Sequence, residues 1–287
     1  YVLKWFDGDE SALKDKIKQS AKGKNTLVVV NTIKKAQELF LEFYDEFKVF
    51  CLNGYMCDDH KRKNIKNIKD AVTKNKSGHG DPILLISTQS IEAGVDLDFD
   101  VGFREIAPIS SIIQTAGRIN RNFTALGELY VFNDICDYSD LIYGDLKRIS
   151  DNILVKILKQ RDIIESEILD ISTRYFSAIK QSLESLFLAE QMQELGFYDI
   201  NEKISEAMDD RLKILVIIEP KEDYIKEFQN EIFEINRLDM DKFNKKDIFT
   251  NTIKKINRFG VNITEFDAKR LNRKRIDGLK EVYYLPF

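Results

Sequence analysis

The chain has 287 residues, 43% hydrophobic and 32% charged, with a formal net charge of −4. Such a composition fits a globular chain long enough for one large domain or two ordinary ones. No apolar run approaches the roughly 18 residues that a membrane-spanning helix needs. The acidic balance excludes nucleic-acid binding through global charge and leaves it to local patches. The sequence opens at Tyr1 with neither Met nor a secretory signal, as expected of a segment cut from something longer. Cys51, Cys57 and Cys136 are odd in number and lack metal-like spacing, and His60 and His79 do not complete a ligand set. They are expected as buried thiols in a reducing cytosol, with no metal centre.

Taken in chain order, the first half alternates short apolar runs with amphipathic ones. TLVVV (26–30) reads as a buried strand, and residues 31–47 follow with Ile33, Ala36, Leu39, Phe40 and Phe43 at helical spacing. KVFCL (48–52) is a second strand, and residues 57–74 form a basic amphipathic helix carrying Ile65, Ile68 and Val72. PILLIST (82–88) and DVGFRE (100–105) are further strands, SSIIQTAGRINR is a helix, and GELYVF (127–132) a fifth strand. This pitch of strand and helix predicts βαβ crossovers and a mainly parallel sheet with helices on both faces. Ligands of such sheets sit at the carboxyl ends of the strands. The polar segments there become the candidates: VNT (30–32), STQSIEAGVD (87–96) and the turn into QTAGRINR.

After about residue 140 the chain becomes long, glycine-poor and helical. LKILVIIEP (212–220) reads as a strand and EDYIKEFQNEIFEINRLDMDKF as an acidic helix. From Asp241 to Arg275 eleven Lys/Arg stand against four Asp/Glu, a surplus of seven positive charges. This stretch either touches phosphates or partners the acidic EDYIKEFQNE segment. Phe259, Tyr283, Tyr284 and Phe287 either stack on bases or, as expected, pack in the core. The organisation predicted is an α/β domain over 1–140 and a mostly helical region over 141–287.

The spacing Q-x-x-G-R-x-x-R places Gln114, Arg118 and Arg121 on one helical face. One such arginine would be an ordinary surface residue. Two forked guanidiniums together suit a polyanion such as a transferring phosphoryl group. In STQSIEAGVDLDFD, Ser and Thr at a strand end can offer hydroxyl and backbone N–H groups to a phosphate, and Gly94 permits a close backbone approach. Asp96 can accept from a ribose hydroxyl or hold an arginine in place.

ISTQSIEAGVDLDFD followed by APISSIIQTAGRINR resembles motifs V and VI of superfamily 2 helicases. The wording is closest to the CRISPR-associated helicase-nuclease of type I interference systems. LVVVNTIKKAQELF resembles that family's motif IV segment, and the resemblance covers roughly residues 25–133. It implies the second RecA-like domain of the helicase, followed by a helical linker and an accessory C-terminal domain. It also implies that Gly94, Asp96 and Gln114 lie at the nucleotide. Arg118 and Arg121 would reach the ATP phosphates, with Arg121 the better arginine finger. Thr88, Gln89, Asn31 and Thr32 would face single-stranded DNA. The implied partners are the upstream RecA-like and nuclease domains and the RNA-guided surveillance complex, in a prokaryotic cytoplasm without membrane attachment.

Two departures limit the resemblance. LNGYMCDDH (52–60) stands where the family has a DNA-contacting segment, and neither G-x-x-x-x-G-K-[ST] nor DExH occurs in the chain. ATP and magnesium are therefore expected to be held mainly by the first RecA-like domain, and this chain alone is expected to be inactive. Two other function classes fit less well: half of another superfamily 2 helicase, or a degenerate RecA-like binding module without an ATP role.

Overall fold

The computed structural model describes residues 1–92, 96–121, 126–133, 138–180, 213–237, 242–271, 274–276 and 282–285. Two compact units emerge: Tyr1–Gly54 with Asn64–Ile200, and Tyr55–Lys63 with Asn201–Phe287.

The first unit is built on a seven-stranded sheet in the order β3-β4-β2-β5-β6-β1-β7. Its strands are β1 (Val2–Phe6), β2 (Thr26–Val29), β3 (Val49–Leu52), β4 (Leu84–Ser87), β5 (Val101–Glu105), β6 (Glu128–Phe132) and β7 (Ile163–Ile164). Six are parallel, and β7 closes one edge antiparallel to β1. Every residue of β2, β4 and β5 is buried, as strands covered on both faces must be. The helices are α1 (Glu10–Ala21), α2 (Ile33–Phe43), α3 (Asp58–Lys76), α4 (Ile109–Ala116), α5 (Ser139–Tyr143), α6 (Asp145–Ser150), α7 (Lys156–Leu158) and α8 (Ile168–Lys180). Leu13 and Ile17 of α1 and Ala36, Leu39 and Phe43 of α2 share one core with Val28, Leu84, Ile86 and Phe103 of the sheet. Asn25 ties the entry to β2: its backbone N–H donates to Asp100, its amide to Asn75, and its side-chain oxygen accepts from the Ile83 N–H.

The boundary expected at residue 140 does not separate these units. β7 adds to the sheet beyond β1, and the Ser150 hydroxyl of α6 accepts from the Ile109 N–H at the start of α4. That N–H is one of the donors a helix start leaves unpaired, so the helical extension completes the first unit.

The second unit contains α9 (Tyr224–Arg237), α10 (Lys242–Asn257) and α11 (Glu265–Lys269). Alongside them runs a four-stranded sheet, ordered β10-β11-β8-β9, of which only β8 is anticipated by the sequence pattern. Its strands are β8 (Lys213–Ile218), β9 (Gly260–Thr264), β10 (Lys274–Arg275) and β11 (Val282–Leu285). One cluster gathers Ile217, Ile225, Phe228, Ile256 and Ile276, and another gathers Cys57, Val216, Val261, Ile263 and Ala268. Phe259 and Tyr284 pack against the first cluster and Tyr283 against the second, so these aromatics serve the core; Phe287 lies outside the described residues.

Candidate functional site

The arginines do not lie on one helical face. α4 ends at Ala116, with Gly117 as its cap donating to the Ile113 carbonyl. Arg118 to Arg121 form a loop in which Asn120 adopts a left-handed φ of 46°. Phe99 holds this loop like a short extra strand: its N–H donates to the Arg118 carbonyl at 2.9 Å, and its carbonyl accepts from the Asn120 N–H at 2.7 Å. Ile119 is buried against the sheet. Two glycines make room for it. A Cβ at Gly102 would stand 2.7 Å from Ile119 Cδ1, and one at Gly127 would stand 2.8 Å from Ile119 Cγ2.

Turning out of the helix separates the two guanidiniums by environment. Arg121 is half exposed and pairs with Asp96, while its backbone N–H donates to Asp98 Oδ1 at 2.8 Å. It lines a cleft of about 620 Å³ together with Asp96, Asp98, Lys69, Thr73 and Lys76. Lys76 binds Asp98 at 2.6 Å, and Lys69 stands 4.0 Å from Asp96. Arg118 is partly buried and donates from Nη2 to the Glu92 carbonyl at 2.9 Å, while its buried Nε has no hydrogen-bond partner among the described residues. Burial holds its guanidinium below the ordinary range; the neighbouring Arg121 pushes the same way, and Asp96 opposes. It stays charged all the same. A partly buried guanidinium with a second one beside it favours an anion nearby. Gln114 is exposed on α4 and hydrogen-bonds to neither arginine. Gly94 lies outside the described residues.

The residues singled out at the other strand ends converge on a network that the sequence did not foretell. Arg104, on β5, is completely buried. Its Nη1 donates to Asn31 Oδ1 at 2.7 Å, and its Nη2 to Glu92 Oε1 and Ser111 Oγ, both at 3.1 Å. Asn31 also donates from its amide to the Ile106 carbonyl, and from its backbone N–H to Glu105 Oε2 at 2.6 Å. Tyr143 of α5 donates to Asn31 Oδ1 at 3.0 Å and accepts from Gln89. Thr88 is buried, its hydroxyl 3.2 Å from Ser90 Oγ, and Thr32 caps α2 by accepting from the Lys35 N–H. Asn31, Thr88 and Gln89 are thus joined to the frame, and Arg104, Glu92 and Tyr143 are added to the site. The signal for Arg104 is a charged pair, Arg104-Glu105, ending a strand whose other residues are apolar; such charges must find partners when buried.

Among the described residues no three His, Cys, Asp or Glu side chains gather to hold a metal, and Asp96 and Asp98 face Arg121 and Lys76. Cys51 and Cys57 are free thiols, Cys57 buried, and burial pushes the Cys51 thiol up; Cys136 lies outside the described residues. Among the described residues no helix is long and apolar enough to cross a membrane. In the basic stretch Lys255 pairs with Glu231 at 3.0 Å and Arg258 with Asp59 at 3.4 Å. The first pair ends in the acidic EDYIKEFQNE segment, as the partnering reading expects.

Residues 22–124 match the family described as CRISPR-associated nuclease/helicase Cas3, C-terminal. Over this segment the chain is similar to the C-terminal part of Cas3 helicases. The CRISPR-associated nuclease/helicase Cas3 of Methanothermobacter thermautotrophicus is 34% identical over 188 residues, which are 64% of this chain and 21% of that protein. The chain thus spans about a fifth of that relative's length. The crystal structure of T. fusca Cas3-ATP superposes on 99% of this chain and 39% of its own, with a TM-score of 0.64 and 12% identity. A chain of a CRISPR RNA-guided surveillance complex, pre-nicking, covers 99% of this chain and 41% of its own, with a TM-score of 0.62 and 13% identity. At these identities the two structures establish the shared fold, a RecA-like sheet of mostly parallel strands. The matched segment 22–124 contains Asn31, Thr32, Thr88, Gln89, Asp96, Gln114, Arg118 and Arg121.

Proposed function

We propose that this chain is the second RecA-like half of an ATP-driven single-stranded DNA translocase acting in CRISPR interference. It supplies an arginine finger to a nucleotide bound chiefly by another domain. The observation that carries this reading is Arg121 at the cleft it shares with Lys69 and Lys76. An arginine delivered to a triphosphate stabilises the charge that develops on the transferring phosphoryl group. Asp96 holds Arg121 at the cleft until the phosphates compete for it, and Arg118 sets the loop from behind. Gln114 and Gly94 belong to the same face in this reading. Magnesium goes to the domain bearing the phosphate cradle; among the described residues no three metal-ligating side chains gather to hold it.

The strand-end residues Asn31, Thr32, Thr88 and Gln89 shape the face that the DNA backbone follows. Thr88 and Asn31, being buried, do so by holding the loops rather than by touching phosphate. The upstream RecA-like and nuclease domains are the partners in cis, and the RNA-guided surveillance complex is the partner that delivers the DNA, all within the prokaryotic cytoplasm. The test is ATP turnover with single-stranded DNA by this chain, by the P-loop-bearing half, and by the two mixed. Turnover dependent on the mixture is the expected outcome. Turnover by this chain alone, or an upstream half that is fully active and indifferent to it, contradicts the composite site.

A further inference from the structure

Glu92 has two attachments that face different parts of the site. Its carboxylate Oε1 accepts from Arg104 Nη2 at 3.1 Å and from the Ser111 hydroxyl at 2.6 Å. Its backbone carbonyl accepts from Arg118 Nη2 at 2.9 Å. The residue closes the short turn Gln89–Ile91 that leaves β4, its N–H donating to the Gln89 carbonyl. Arg104, in turn, binds Asn31, which Tyr143 links to Gln89. A single buried ion pair therefore stands between the strand-end loops carrying Asn31 and Gln89 and the loop carrying Arg118. Arg104 is completely buried and the Glu92 side chain is 11% exposed, so the pair works where the dielectric is low and geometry is held stiffly. A surface ion pair would slip under the same load.

We propose that Glu92 and Arg104 are positioning residues that couple the strand-end face to Arg118. When a nucleic-acid backbone settles on the loops of Asn31 and Gln89, the pull passes through Arg104 to the Glu92 carboxylate. The Glu92 carbonyl then sets the Arg118 guanidinium, and the loop running on to Arg121 follows. Neither residue touches the nucleotide in this account; both act by placing an arginine. The inference rests on the composite-site reading above and adds the route by which one side of that site reports to the other.

The experiment is a cycle in the complete helicase with Glu92→Gln, Arg118→Ala and the double variant. It reads kcat and KM for ATP with and without saturating single-stranded DNA, together with DNA affinity. Misplacing a reacting group by about an ångström costs up to about a hundredfold in rate. Glu92→Gln should accordingly lower the DNA-stimulated kcat about ten- to hundredfold, leaving KM and DNA affinity within about threefold. Because it acts through Arg118, the double variant should be no slower than Arg118→Ala alone. Thermal unfolding shows whether Glu92→Gln is folded at the assay temperature. If it is not, Arg104→Lys carries the same cycle, keeping the charge and losing the fork. An unaffected kcat, or losses that multiply in the double variant, would overturn the coupling. Wild-type turnover by Arg118→Ala overturns the reading of the arginines themselves, whereas loss in Arg118→Ala beside an unaffected Glu92→Gln overturns the coupling alone.

Discussion

The first unit buries charge at the carboxyl ends of its strands, whereas the second buries apolar clusters. In the first, Arg104 and Glu105 sit inside the protein hydrogen-bonded to Asn31, with Thr88 also buried, all at or beside strand ends. In the second, the buried carboxylate Glu219 does a local task, accepting from the Ile225 N–H at the start of α9. The ion pairs of its long helices, such as Lys255 with Glu231, lie at the surface. A buried charge pair is weak evidence for stability, because apolar residues would often serve as well. Its placement under Arg118 therefore points to a task in the site. The contrast teaches where chemistry is to be sought: in the unit that bears the desolvation cost.

The comparison would break most visibly at Arg104. Arg104→Met leaves Glu92 without its charged partner, and the first unit should lose about 3–5 kcal/mol. Hydrogen exchange resolved by unit should show β2, β4 and β5 opening earlier while β8 and β9 keep their protection; a loss spread evenly over both units would erase the distinction. A smaller effect is expected at Gly102, where a methyl group meets Ile119 and Leu129. Gly102→Ala should destabilise by about 1–3 kcal/mol and, by displacing Ile119, lower ATP turnover in the mixture of halves. Wild-type turnover in that variant would show that the arginine loop does not depend on its seat.

In the second unit, Ile256→Val should cost about 0.5–1.5 kcal/mol in denaturant unfolding and leave turnover unchanged. A drop in turnover would give that unit a part in the chemistry. The smallest effect is at the surface of the first sheet. Lys4 hydrogen-bonds Glu128 at 2.6 Å and holds its carboxyl below its ordinary value of 4.5. A depressed carboxylate contributes stability above that ordinary value, and the contribution is lost as pH falls through the lower folded value. Partly exposed as the pair is, the difference should be under about 1 kcal/mol. Glu128→Gln should remove it, which unfolding midpoints near neutral pH and well below the carboxylate's ordinary value will check.

The sheet was legible because its central strands are uniformly apolar: TLVV, LLIS and the core of VGFRE announce burial on both faces. β1 reads less clearly, since Lys4 interrupts VLKWF and on its outer side only the two-residue β7 flanks it. β7 and β10 are too short to carry a period. The helix expected to run through the arginines ends at Ala116 instead, and Gly117 and Asn120 are both residues that helices use to stop. The expected boundary at 140 followed a change of texture. Texture records helix content, whereas a compact unit is defined by what packs together: Ser150 hydrogen-bonds the start of α4, and Ile163 pairs with β1. The site residues were legible as motifs, yet their division of labour was not. That Asn31 holds Arg104 depends on a contact between residues more than seventy positions apart, and that Arg121 meets the cleft on contacts with Asp96 and Asp98 some two dozen positions away.

The central claim is that Arg121 completes a nucleotide site whose cradle lies in another domain. It is tested most directly by ATP turnover of the mixed halves with Arg121→Ala, at saturating single-stranded DNA. The account predicts a fall in kcat on the order of a thousandfold, with DNA affinity and the folded state of this chain retained. Turnover at the wild-type rate would contradict it and leave this chain a RecA-like binding module.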